Sequence, residues 1–188
     1  MFHHHRHVAD TLRVFLNQTG SLLSVTDRAQ QQIVVPVDQF AITQQDLLFV
    51  AHLRGSLALC ISDEVQEAGG MLHMQAGRPG RVNDPELTDN TLSSDLLLLD
   101  RCLADLKRSE PRARHWQARF VAHADEKAGG RERLLGIQSF VEAFLDDAGI
   151  RLVSSTAHDG EPRLLHFRPA LGQLSCEPLP TRADPPTR

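Results

Sequence analysis

The side chains able to do chemistry are unevenly spread along this chain. Its three cysteines, Cys60, Cys102 and Cys176, lie far apart and are odd in number. No Cys-x-x-Cys pair exists, which excludes a zinc ribbon and a thioredoxin-type redox motif. Such usage fits a reducing compartment. Four histidines crowd residues 3–7 beside Arg6. That tract reads either as a metal-binding stretch or, more simply, as a loose terminus. His123, His158 and His166 lack the local spacing of a ligand set. Asp95, Asp100 and Asp105 lie on or beside an expected helix and read as solvated. One short region gathers several reactive types: Ser56, Cys60 and Asp63, then His73, seventeen residues after Ser56. A thiol, with a pKa of about 8.5, is readily made into a nucleophile. A serine hydroxyl ionises far less easily and needs a base that a third group orients.

The elements that must position these groups follow from periodicity. Ile33, Val34, Val35 and Val37 are β-branched, and Pro36 among them marks an edge strand. Residues 47–53 read as a strand. Residues 56–61 read as another, or as its continuation after a break at Arg54-Gly55. Asp63-Glu64 and Gly69-Gly70 read as turns, and residues 71–74 as a short strand. Residues 75–91 read as a long polar loop, of the kind that is often functional. Ser93 and Ser94 are expected to cap a helix to about residue 107, with Leu96, Leu99, Cys102, Leu103 and Leu106 on its buried face. Residues 116–122 suggest a strand and 127–130 a turn. A second helix is expected over 132–148, with Leu134, Ile137, Val141, Phe144 and Leu145 inward and Gly149 as its stop. Residues 150–155 and 164–167 read as a hairpin around a turn at 158–162.

The fold class on these grounds is α+β. With 188 residues, 41% of them apolar, one domain with a real core is expected. The net charge of −4 and the absence of tyrosine argue against a nucleic-acid partner. Arginine replaces lysine almost everywhere except Lys107 and Lys127, a compositional habit of the source. No segment has the roughly 20 apolar residues of a membrane span, and no signal-peptide pattern opens the chain. No membrane insertion and a cytoplasmic location are therefore expected. Residues 1–30 form an N-terminal extension with a short amphipathic segment, Val8, Leu12, Phe15 and Leu16 at helical spacing. Docking of that segment on a partner and packing against its own domain are equally open. Residues 31–178 form the domain, and 179–188 read as a disordered tail.

Three segments, in order, resemble the bacterial chemoreceptor glutamine deamidases, the CheD family. The first is Leu53-Arg54-Gly55-Ser56-Leu57-Ala58-Leu59-Cys60-Ile61-Ser62-Asp63, where the family carries Gly-Leu-Gly-Ser-Cys, alternating apolar residues, often a second cysteine, and an aspartate. The second is Gly69-Gly70-Met71-Leu72-His73, where the family has Gly-Gly-Met-Ala-His. The third runs over 136–174 and includes Ala148-Gly149-Ile150 and Phe167-Arg168-Pro169-Ala170-Leu171-Gly172. The resemblance covers about residues 31–176. It implies a layered sandwich of mixed or antiparallel sheets with two main helices.

The resemblance also implies a mechanism. In the family a cysteine thiolate attacks a receptor glutamine carboxamide, ammonia leaves, and water cleaves the thioester. The histidine, at His73 here, activates the thiol and protonates the leaving group. In this chain Ser56 falls on the nucleophile, Cys60 on the second cysteine and Asp63 on the aspartate. Val50 falls on a family threonine, and His52 and Arg54 replace glycines. The turn 157–160 of the last hairpin differs as well. Cys60, four residues on, is about 13 Å away along a strand at roughly 3.3 Å per residue, so it reads as buried structure and not as a moved nucleophile. Two functions follow as expectations. One is a catalytically impaired binding or regulatory module that recognises chemoreceptor cytoplasmic helices or a CheC-type phosphatase. The other is an active amidohydrolase using Ser56 and His73. Neither calls for a metal or cofactor. An active enzyme should join His73 to Ser56 by a hydrogen bond, whereas an inactive module should bury His52 or Arg54 in the pocket.

Overall fold

The structure, a computed structural model, describes residues 31–75, 85–124 and 130–180. Nine strands form two mixed sheets. The four-stranded sheet has the order β1 (Gln32–Val34), β3 (Leu48–Leu53), β8 (Arg163–Arg168), β9 (Gln173–Pro178). The five-stranded sheet has the order β2 (Gln39–Thr43), β5 (Ala68–Gln75), β4 (Ser56–Asp63), β6 (Gln117–His123), β7 (Arg151–His158). Only β1–β3 and β6–β7 pair in parallel. Two helices, α1 (Pro85–Ser109) and α2 (Gly130–Asp147), complete the α+β sandwich.

Two cores define three layers. One lies between the helices and the five-stranded sheet and includes Leu57, Leu59, Ile61, Phe120, Leu99, Leu106 and Leu145. The other lies between the sheets, where Phe49, Ala51, Leu53, Leu165 and Phe167 meet Ala58, Cys60, Met71 and Val121. Strand β4 is central and covered on both faces, which is why its eight residues are all buried and its middle, 57–61, is an unbroken apolar run. Burying one leucine of the helix stripe is worth about 1.5–3 kcal/mol, so Leu99, Leu103 and Leu106 anchor α1.

Several sequence expectations need correction. Gly69 and Gly70 lie inside β5 and form no turn. Close packing requires them: a Cβ on Gly69 would stand 2.3 Å from the Ile61 carbonyl oxygen, and one on Gly70 2.7 Å from that of Ala41. The preceding turn uses a non-glycine residue, Glu67, at φ 50°. Ser93 and Ser94 are not caps, because α1 is already running from Pro85; the expected loop over 75–91 is helical from Pro85 on, and its residues 76–84 lie outside the described residues. Leu96 is 37% exposed, so the stripe begins at Leu99. Strands β3 and β4 are neither neighbours nor one continuous strand; the left-handed Gly55, at φ 58°, sends the chain from one sheet to the other.

The expected last hairpin is also wrong. β7 pairs with β6 and β8 with β3, so the 159–162 turn is a second crossing between sheets. The true hairpin is β8–β9, joined by a 3-10 turn at Pro169–Leu171 with Gly172 left-handed at φ 59°. The stop of α2 is as expected: Gly149 at φ 71° closes a Schellman motif, with Ile150 N–H on Leu145 O at 2.8 Å and Gly149 N–H on Asp146 O at 2.9 Å. The edge strand read over 33–37 forms at the sheet edge but only as Gln32–Val34, ending before Pro36. The expected extension 1–30, the turn before Gly130 and the final eight residues lie outside the described residues.

Candidate functional site

Strand parity brings Ser56 and His73 together. Ser56 opens β4 and faces Gln75 of β5, while Ala58 faces His73. Residues two apart on a strand share a face. Ser56, Ala58, His73 and Gln75 therefore all point toward the four-stranded sheet. Ser56 and His73 are diagonal neighbours, close enough for side chains to meet. Ser56 Oγ lies 3.0 Å from His73 Nε2, and both residues are buried, at 0% and 2% exposure.

The partners fix the proton positions. His73 Nδ1 lies 2.9 Å from the main-chain oxygen of Val35. A carbonyl only accepts, so Nδ1 carries the proton and the neutral ring presents its Nε2 lone pair to Ser56. Ser56 then donates its hydroxyl proton to His73 and accepts the Arg54 N–H at 3.1 Å. This is the tautomer a general base requires. Burial holds the His73 pKa below the usual 6.5, against the Val35 carbonyl and the nearby Asp38 carboxylate, which raise it; His52 adds to the lowering.

The turn before Ser56 is held at both its polar groups. Gly55 N–H donates to His123 Nδ1 at 3.0 Å, and Gly55 O accepts from Gln75 Nε2 at 2.9 Å. His123 Nε2 lies 2.9 Å from Gly160 O. Both nitrogens of this buried ring are thus used by main chain. Of the other two histidines weighed as ligands, His166 lies 3.7 Å from Glu177 and His158 sits at the end of β7 opposite His123. Among the described residues no group of three or more His, Cys, Asp or Glu is placed to hold a metal ion.

The other marked residues resolve plainly. Cys60 is fully buried between the sheets, and burial pushes its thiol far above the ordinary range despite Arg119 nearby. Asp63 is buried too, and burial alone would raise its pKa. Four backbone N–H groups outweigh that and lower it: Val65 and Gln66 donate to Oδ1, Arg114 and His115 to Oδ2. It pins the end of β4 to the segment leading into β6. His52 and Arg54 are exposed and do not fill the site.

Val50 makes no side-chain hydrogen bond, as its type requires. Its carbonyl instead accepts the Val35 N–H at 2.8 Å, and Val35 O in turn holds His73. The third partner of the pair is therefore a main-chain group. Neither Val35 nor His123 was marked as part of the site from sequence. Carbonyls carry no residue signature, and His123 lies sixty-eight positions from the glycine it holds.

The fold and this pair define a class: an α+β sandwich with a nucleophile-type hydroxyl and an imidazole buried between its sheets. No protein-family model matches the chain. Curated proteins do. A probable chemoreceptor glutamine deamidase CheD of Methylobacillus flagellatus is 25% identical over 145 residues, covering 75% of this chain and 70% of that protein. One of Ralstonia nicotianae is 24% identical, covering 75% and 60%. One of Herminiimonas arsenicoxydans is 26% identical, covering 75% and 70%. The chain is CheD-like. Among the described residues, no helix is long and apolar enough to cross a membrane.

Proposed function

We propose that this chain is a chemotaxis protein working in the cytoplasm, a catalytically impaired binding or regulatory module derived from a receptor glutamine deamidase. Its partners are the cytoplasmic helices of chemoreceptors or a CheC-type phosphatase. The names of the similar proteins support the chemotaxis role. The observation that carries the impairment is the state of Ser56. Its hydroxyl is completely buried, and the group that His73 Nδ1 hydrogen-bonds is a neutral carbonyl, while the Asp38 carboxylate acts on the ring through its charge. Hydrolase triads place a carboxylate there, which stabilises the imidazolium that forms when serine gives up its proton. A thiol needs less help than a hydroxyl, which here has the orienting carbonyl and the charge of Asp38 to rely on.

A second reading has its own support. The Ser56–His73 hydrogen bond, the base-competent tautomer and the exposure of His52 and Arg54 are what an active pair would keep. In that reading Ser56 Oγ attacks a glutamine carboxamide carbon and its proton passes to His73 Nε2. The same proton goes to the departing ammonia, and water then hydrolyses the ester to glutamate.

Titration of a chemoreceptor cytoplasmic fragment against wild type and His73→Ala tests the first reading. A binding module binds equally well in both. A loss of binding as large as unfolding would produce, in a His73→Ala variant that is still folded, contradicts it.

A further inference from the structure

We infer that His123 is a positioning residue for the Ser56–His73 pair, a neutral imidazole that locks the Arg54-Gly55 turn and ties it to the second crossing between the sheets. Gly55 N–H needs an acceptor, so His123 Nδ1 must be unprotonated, and Nε2 then carries the proton that Gly160 O accepts. One tautomer of one buried ring satisfies both main-chain groups. The turn it holds uses the left-handed region that glycine enters freely: Gly55 sits at φ 58°, and its carbonyl is fixed separately by Gln75. With both ends of Gly55 held, the neighbouring Arg54 N–H is aimed at Ser56 Oγ. That bond occupies the acceptor side of the hydroxyl and leaves its proton for His73 Nε2.

His123 reaches this turn from β6, the neighbour of β4 on the side away from His73. The pair is thereby braced from both flanks of the nucleophile strand, by Val35 behind His73 and by His123 behind Ser56. The titratable group shown beside His123 is His158, opposite it on β7, on which His123, Arg163 and Asp159 all act.

The inference rests on the reading that the Ser56–His73 face is the working part of the scaffold. Its test is nuclear magnetic resonance of the full chain, as wild type, His123→Phe and His123→Asn. Asparagine keeps an acceptor oxygen near the place of Nδ1; phenylalanine keeps only the ring. In wild type the Gly55 amide should be slow to exchange with solvent. His123→Phe should speed that exchange about tenfold, the worth of one net hydrogen bond. It should also shift the His73 Nε2 resonance, while the Arg114 and His115 amides held by Asp63 stay protected. His123→Asn should restore the Gly55 protection and the His73 shift. A Gly55 amide that exchanges freely with solvent in folded wild type overturns the inference, even if His123→Phe does not fold. So does a folded His123→Phe that leaves the His73 resonance where it was. Binding of the chemoreceptor fragment by the same wild-type sample reports on the functional reading alone: absent binding with the coupling intact sinks that reading and supports this one.

Discussion

The main-chain carbonyl of Val35 holds the imidazole of His73. That contact fixes the ring's tautomer, aims its free nitrogen at Ser56, and replaces the side-chain partner missing at Val50. It also spans the two sheets, because Val35 follows the edge strand β1 and is anchored by Val50 O on β3, while His73 belongs to β5.

Burial of His73 makes stability depend on pH. Its folded pKa lies below the unfolded value of about 6.5, chiefly through burial. The unfolded chain then takes up a proton that the folded chain refuses. Stability is complete above about pH 6.5 and falls as pH drops toward the folded pKa. His158, lowered first by burial and then by Arg163 and His123, contributes with the same sign. Urea unfolding of wild type and His73→Gln across that range checks this. The acid-side slope should shrink in the variant without vanishing; equal slopes contradict it.

Asp63→Asn should destabilise the fold. The buried carboxylate accepts four N–H groups, on Oδ1 at 3.0 and 3.1 Å and on Oδ2 at 2.9 and 2.8 Å. An amide keeps one acceptor and turns an NH2 toward two donors. Each buried group left unsatisfied costs about 1–3 kcal/mol, so a loss of about 2 kcal/mol or more is expected. Wild type should lose the same support as pH falls below the unfolded carboxylate value of 3.8 toward the lower folded one. A change within about 0.5 kcal/mol, the usual range of a surface substitution, would count against the pin.

Two glycine substitutions should move stability in opposite directions. Gly70→Ala places a methyl 2.7 Å from Ala41 O and 2.8 Å from Ile42 Cγ2, a clash with main chain. A cost of about 1–3 kcal/mol is expected from such overpacking. Gly136 lies within α2 and its added methyl meets nothing within 4 Å. Gly136→Ala should stabilise by about 0.4–1 kcal/mol through helix propensity and unfolded-chain entropy. Thermal unfolding of the two variants decides both.

The α+β class and most elements were legible in the sequence because burial writes a period, whereas the layered sandwich came only from the family resemblance. The apolar middle of β4, the helical stripe of α2 and the Gly149 stop each follow from local physics. Sheet membership was not legible. β7 and β8 read as a hairpin because a short polar turn with Gly160 separates two β-rich runs, and nothing local tells a hairpin turn from a crossing between sheets. Gly69-Gly70 misled for the opposite reason: glycine marks turns more often than close strand packing, and only the tertiary contact with Ile61 and Ala41 separates the two. Ser56 and His73 came from the family resemblance, and the structure brings them within a hydrogen bond. Their supports, Val35 O and His123, act through main-chain groups that no residue type reveals.

Mass spectrometry of a chemoreceptor cytoplasmic fragment is the most direct test of the central claim, that the site keeps its geometry and lacks a competent nucleophile. The fragment, one that a working CheD modifies, is incubated with wild type, Ser56→Cys and Ser56→Cys/His73→Ala. The account predicts no glutamine-to-glutamate conversion by wild type, conversion by Ser56→Cys, and its loss in the double variant. Conversion by wild type that disappears in His73→Ala would contradict it and make the protein a serine-dependent deamidase.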